Sequence, residues 1–416
     1  MPCTISLSDP AQRCGTSCGP ISVLGLRVPF RRLVTVTTTP ADRTRLLPLR
    51  PELRGSEPYG APQLDVPVLL NVNENPYAPS DAVVADIAAD VAAAARTLNR
   101  YPDREFLDLR ADLARYLGQE SGVSLAPEQL WAANGSNEVM IHVLQAFGGP
   151  GRTVLSFVPT YSMYSEYARD THTRWAVGAR EGDFTLDPRR ARETILAERP
   201  SVILLTSPNN PTGTALPHDT LRAVLEAAGE VDIDGAPAVV VVDEAYGEFR
   251  REGVPSALEL LADHPNLAVS RTMSKAFALA GARLGYLAAS RDFVDALRIV
   301  RLPYHLSAVT QATARAALRH SDELLAQVGT LRAERDATVA WLRAQQHQGR
   351  AIEVADSDAN FVLFGRFEDR QAIWQGLLDR GVLIRVVGPE GWLRASIGTR
   401  EEMVAFKDAL TKVAGL

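Results

Sequence analysis

Lysine is nearly missing from this chain. Of 44 Lys plus Arg in 416 residues, only Lys275, Lys407 and Lys412 are lysine, so a single one stands between residues 1 and 406. Cysteine is confined instead: Cys3, Cys14 and Cys18 all fall near the start, and the rest of the chain has none. That excludes a disulfide framework for the folded part and suits a reducing, cytoplasmic setting. Seven histidines show no ligand spacing, and neither histidine nor further cysteine lies near Cys14 and Cys18, so no metal site is expected. No apolar run reaches the ~20 residues that span a bilayer. A basic surplus is also absent: the net charge of −6 argues against nucleic acid as a partner.

What is present is a globular composition, 46% hydrophobic and 23% charged. Residues 1–45 stand apart, rich in Ser, Thr and Arg and poor in acid, and are expected to form an N-terminal extension without fixed structure. Short apolar runs then recur at TVLSF (153–157), VILLT (202–206), AVVVVD (238–243), NLAVS (266–270) and GYLAA (285–289), with helical stretches such as 219–230 between. Continuously apolar strands alternating with helices predict an α/β fold with a mostly parallel sheet flanked by helices. After Pro303 a long helical stretch, roughly 307–346, leads into AIEVA, FVLFG, VLIRVV and WLRASIG. The expected division is an arm over 46–96 that contributes to a small domain, a large domain over 97–305, and a connecting helix with a smaller α+β domain over 306–416.

The lone lysine has a chemical reading. An amine loses its proton on burial and can attack a carbonyl, whereas a guanidinium stays charged. Lys275 follows a strand, with Thr272 and Ser274 beside it and Arg283 in a glycine-bounded loop able to bring a guanidinium near a phosphate. Upstream, VVVVDEAYGEF (239–249) ends a buried strand in Asp243, which calls for a cationic partner, and places Tyr246 three residues on. SPNNPTG (207–213) sets Asn210 at a strand end where ligands of α/β sheets collect. NGSNEV offers Ser136 and Asn137 at a helix N-terminus, an anion seat. Each motif alone also reads as a turn or a capped helix. Together they supply an amine, an acid for a ring nitrogen, donors for a ring oxygen and a phosphate seat, which pyridoxal phosphate requires.

From LPLRPEL (47–53) to the C-terminus the chain resembles the fold-type I pyridoxal-phosphate aminotransferases, and among them the histidinol-phosphate aminotransferases. EPYGAPQ, LNVNENPYAPS, NRYPD, GSNE, VPTYSMYSE, SPNNPTG, VVDEAYGEF, TMSKAFALAGARLGY and WLRASIGTREE carry the likeness. The resemblance implies that Lys275 holds the cofactor as a Schiff base and shuttles a proton. It implies that Asp243 pairs with the pyridine nitrogen, that Tyr246 and Asn210 bond the phenolic oxygen, and that Tyr161 stacks on the ring. Ser136, Asn137, Thr272, Ser274 and Arg283 would hold the cofactor phosphate, and Tyr101 would reach the phosphate of a neighbouring subunit in a homodimer.

For substrate, the resemblance implies L-histidinol phosphate with 2-oxoglutarate, hence imidazole acetol phosphate and glutamate. Tyr59, Asn210, Arg385 and Arg394 would bind it, since two guanidiniums suit a phosphate dianion. One departure is Val386, where the family often has Asp after the first arginine. Aromatic amino acid aminotransferases share nearly all the other motifs, and a lyase or decarboxylase is a further alternative, because the core motifs fix the cofactor and not the bond broken; a non-catalytic regulator on the same fold is a third.

Overall fold

The computed structural model describes residues 47–416. The extension over 1–45 and its three cysteines therefore lie outside the described residues. Two units are distinguished, one ending at Pro58 and one running Tyr59–Leu416. In the first, a short 3-10 turn at Pro51–Leu53 begins on a proline and is followed by Arg54, whose Nε donates to the carbonyl of Leu49 at 3.3 Å.

The second unit is built on a seven-stranded sheet: β1 Leu130–Ala133, β2 Thr153–Val158, β3 Arg174–Ala179, β4 Val202–Thr206, β5 Val239–Asp243, β6 Leu267–Thr272 and β7 Gly285–Ala289. Its spatial order is β1-β7-β6-β5-β4-β2-β3, and every neighbouring pair is parallel except the two that β7 makes. The central strands β4 and β5 are apolar up to their last residue because both faces are covered; VILLT and VVVVD are buried at every position. Flanking helices include α1 Asp81–Ala95, α2 Leu107–Ser121, α3 Ser136–Phe147, α4 Met163–Asp170, α5 Pro188–Glu198, α6 His218–Gly229 and α7 Arg291–Val300. Side-chain caps start several of them: Ser80, Asp187 and Ser290 each accept a backbone N–H of the first turn.

Beyond Pro303 the long helical stretch is two helices rather than one, α8 Ala308–Arg319 and α9 Ser321–Arg343. His320 breaks it with φ −106° and ψ 21°, and its Nε2 lies 2.8 Å from Asp86 Oδ2 on α1. A three-stranded antiparallel sheet follows, β8 Glu353–Val354, β9 Phe361–Gly365 and β10 Trp392–Ser396, with α10 Arg370–Leu378 and α11 Arg400–Ala414. VLIRVV contributes less strand than its composition suggests. Val382–Leu383 pairs in parallel with Val68–Leu69, and Arg385 forms an isolated antiparallel bridge with Arg394. Among the described residues no helix is long and apolar enough to cross a membrane.

Candidate active site

The carboxyl ends of β4, β5 and β6 converge with the start of α3 on one pocket, where open α/β sheets bind ligands. Its lining includes Tyr59, Asn73, Ser136, Tyr161, Asn210, Asp243, Tyr246, Lys275, Arg385 and Arg394. Lys275 stands in the turn after β6 and donates from Nζ to the carbonyl of Val72 at 2.9 Å. Burial first, and then the Arg394 guanidinium, pull its amine down to about 8.

Two adjacent carboxylates at the end of β5 meet opposite fates. Glu244 is buried but pairs with Arg271 at 2.7 Å and Arg250 at 3.2 Å, which outweigh the burial and hold its pKa low. Arg271 has no exposed surface and also bonds Glu248 at 3.0 Å and Glu120 at 3.3 Å. Among the described residues Asp243 has no such cation. There its carboxylate accepts only from the Ala245 N–H at 3.1 Å and the Tyr164 hydroxyl at 3.2 Å, and burial pushes it up to about 6. A buried acid short of a positive partner, aimed at a pocket, fits a protonated ring nitrogen.

The anion seat is made of bare backbone. α3 begins after Gly135, which has φ +84° and offers no side-chain cap, so the first N–H groups of the helix stay open. A Cβ at Gly135 would sit 2.5 Å from Arg283 Nη2, and one at Gly285 would sit 2.1 Å from the Ser136 nitrogen. Only glycine lets guanidinium and helix start approach this closely. Arg283 Nη1 lies 3.4 Å from Ser274 Oγ. Donor set, cradle and an acid without a paired cation together suit a phosphorylated pyridine aldehyde.

Not every sequence candidate reaches the pocket. The Thr272 hydroxyl is used inside the turn, within 3.0 Å of Ser274 Oγ and 3.1 Å of the Leu284 carbonyl. Asn137 is exposed in the first turn of α3. Tyr101 is 78% exposed and stacks on Tyr304 with ring centroids 4.3 Å apart. Residues that sequence reasoning passed over are Tyr164, which holds Asp243, and Asn73, whose Nδ2 donates to Tyr246 Oη at 3.0 Å. Asn73 stood in view inside LNVNENPY, but nothing local marks its partner. Within SPNNPTG the two asparagines divide. Asn209 is fully buried and ties the loop to Pro159 and Thr212, leaving Asn210 to face the pocket.

On the far wall, Arg385 and Arg394 are directly opposed across an antiparallel bridge, each accepting the other's N–H at 2.9 Å, so both side chains leave the same face. Neither is paired with a carboxylate among the described residues, and Arg385 Nη1 and Arg394 Nε are buried without a partner. Arg394 Nη1 donates to Asn210 Oδ1 at 2.6 Å and Nη2 to the Asn71 carbonyl at 3.2 Å. Arg385 Nη2 donates to the Gly60 carbonyl at 3.2 Å, and Ser162 Oγ donates to the hydroxyl of Tyr59 at 3.2 Å.

Fold and site are those of a pyridoxal-phosphate enzyme of the fold-type I kind, and the family description "Aminotransferase class I and II" matches residues 66–410. The chain belongs to that family. A histidinol-phosphate aminotransferase of Bifidobacterium adolescentis is 60% identical over 372 residues, 88% of this chain and 95% of that protein. One of Thermobifida fusca is 60% identical over 369 residues, 89% and 96% of the two chains. Among solved structures, the histidinol-phosphate aminotransferase of Sinorhizobium meliloti in complex with pyridoxal-5'-phosphate superposes with a TM-score of 0.72. It is 25% identical, with 84% of this chain and 91% of that one covered.

Proposed function

We propose that this enzyme exchanges the amino group between L-histidinol phosphate and 2-oxoglutarate in histidine biosynthesis, giving imidazole acetol phosphate and glutamate. The observation that carries the reading is the pair Arg385 and Arg394, two guanidiniums on one face with buried N–H groups unspent. A single carboxylate needs one guanidinium, whereas a phosphate dianion has oxygens for two. Relatives at 60% identity that bear the name histidinol-phosphate aminotransferase support the same choice.

The residues take these roles. Asp243 would pair with the ring nitrogen and keep it protonated. Tyr246 and Asn210 would bond the ring oxygen, and Tyr161 would cover the ring. Ser136 and Asn137 through the open start of α3, with Ser274 and Arg283, hold the cofactor phosphate, and Thr272 shapes the turn that presents Ser274. When bound, pyridoxal phosphate supplies an electron sink that makes the substrate's α-proton removable. Lys275, its amine brought down to about 8, would hold the cofactor and take up the substrate's α-proton at Nζ. Tyr59, Arg385 and Arg394 bind the phosphate of histidinol phosphate, and Arg394 takes a carboxylate of glutamate in its turn. The active unit is a homodimer in the cytoplasm, Tyr101 and Tyr304 lying on the exposed apolar face that a second subunit covers and Tyr101 reaching that subunit's cofactor.

A single-turnover experiment tests this. Mixing the loaded enzyme with histidinol phosphate should convert the cofactor's visible absorbance, and adding 2-oxoglutarate should restore it with one glutamate formed. Release of ammonia or carbon dioxide instead would assign a lyase or decarboxylase.

A further inference from the structure

Tyr246 is gripped by two amides whose orientation is fixed from behind. Asn73 Nδ2 donates to Tyr246 Oη at 3.0 Å, and Asn210 Nδ2 reaches the same oxygen at 3.4 Å. The other end of each amide shows which atom is which. Ser396 Oγ accepts the Asn73 backbone N–H at 2.8 Å and donates its own hydrogen to Asn73 Oδ1 at 2.9 Å. Arg394, which can only donate, bonds Asn210 Oδ1 at 2.6 Å. Both amides therefore turn N–H toward the phenol. Asn73 is held firmly: it is 2% exposed, has φ +57°, and its carbonyl accepts from Asn360 Nδ2 at 3.1 Å.

A phenol oxygen that receives two donors keeps one hydrogen to give. Among the described residues no protein acceptor takes the Tyr246 hydrogen, and the side chain lines the pocket beside Lys275 and Asp243. We propose that Asn73, locked by Ser396, is a positioning residue that makes Tyr246 an obligate hydrogen-bond donor to the phenolic oxygen of bound pyridoxal phosphate. This rests on the placement of that oxygen beside Tyr246 under the proposed function. Ser396 lies two residues after Arg394 on β10, so one strand carries both the substrate's guanidinium and the lock on the tyrosine.

A donor at the ring oxygen weakens that oxygen's hold on a neighbouring proton, so it lowers the pH at which the bound cofactor's visible absorbance titrates. Asn73→Asp puts an acceptor where the donor was and draws the Tyr246 hydrogen away from the pocket. The midpoint of the absorbance titration in the loaded enzyme should rise by about one pH unit, the scale of one charge-assisted hydrogen bond. Ser396→Ala, which frees the amide to turn over, should raise it in the same sense. Adding Asn73→Asp to Tyr246→Phe should shift it no further than Tyr246→Phe alone. That last comparison separates an effect relayed through the hydroxyl from the charge of the new carboxylate. Wild-type midpoints in both Asn73→Asp and Ser396→Ala, or a fully additive double variant, would overturn the role of Asn73. A wild-type midpoint in Tyr246→Phe itself would instead remove the tyrosine from the ring oxygen, and the proposal with it.

Discussion

Arg394 Nη1 donates to Asn210 Oδ1 at 2.6 Å, so a guanidinium on β10 and an amide on the loop after β4 form one unit. Arg385, opposite Arg394 on the bridge, has no such tie to the cofactor side and spends one nitrogen on Gly60 instead. The two arginines should therefore fail differently. Charge-assisted hydrogen bonds are worth about 1.5–3 kcal/mol each, so Arg385→Gln should cost roughly 10- to 150-fold in kcat/KM for histidinol phosphate. Its effect on glutamate should be much smaller, whereas Arg394→Gln should lower both. Equal losses in the two half-reactions of Arg385→Gln would remove the division of labour.

Lys275→Arg keeps the charge and loses the chemistry, because a guanidinium does not give up its proton near neutral pH. The visible absorbance of the bound cofactor should vanish and turnover collapse. In the wild type, recapture of pyridoxal phosphate by cofactor-free enzyme should accelerate with pH through a midpoint near 8, where burial and Arg394 set the amine. A midpoint near the ordinary lysine value of 10.5 would show that the amine is not desolvated.

Asp243 couples function to a cost in stability. With its carboxyl raised by burial from 3.8 to about 6, the folded protein holds a proton that the unfolded chain has released. That contribution is complete below about pH 3.8 and is lost as pH rises through about 6. Cofactor-free Asp243→Asn should thus melt at a higher temperature than wild type at pH 8 and lose the advantage at low pH. The loaded variant should bind cofactor yet run both half-reactions far more slowly. A cofactor-free variant that melts lower than wild type at pH 8 would make Asp243 a structural partner.

The charge network behind β5 and β6 is the converse case, built for structure. Arg271 has no exposed surface and bonds Glu244, Glu248 and Glu120. Removing one member of a buried ionic cluster strands the others and typically costs about 3–5 kcal/mol. Arg271→Leu should show a loss of that size in urea unfolding. A change below about 1 kcal/mol would mean that the glutamates find other partners or water.

Much of this was legible in the chain and some was not, for physical reasons. VILLT, VVVVD and the loops that follow them are local signals, so the strand ends and the placement of Asp243, Asn210 and Lys275 could be read directly. Contacts between distant segments could not. Asn73 meets Tyr246 across 173 residues and Ser396 across 323. VPTYSMYS offers Tyr161 and Tyr164 with equal claim, and only the fold gives Tyr164 to Asp243. The break at His320 carries no proline or glycine; a contact with Asp86 on α1 accompanies it. The Thr272 hydroxyl, which the resemblance assigns to the cofactor phosphate, bonds Ser274 Oγ and the Leu284 carbonyl, the latter a contact across 12 residues that no local signal shows.

The paired guanidiniums of Arg385 and Arg394 should select a phosphate-bearing amine. The most direct test is kcat/KM for histidinol phosphate against phenylalanine, each with 2-oxoglutarate as acceptor. Histidinol phosphate should be preferred by well over tenfold, since phenylalanine offers a single carboxylate to two arginines. Equal rates, or a preference for phenylalanine, would contradict the account and identify an aromatic amino acid aminotransferase.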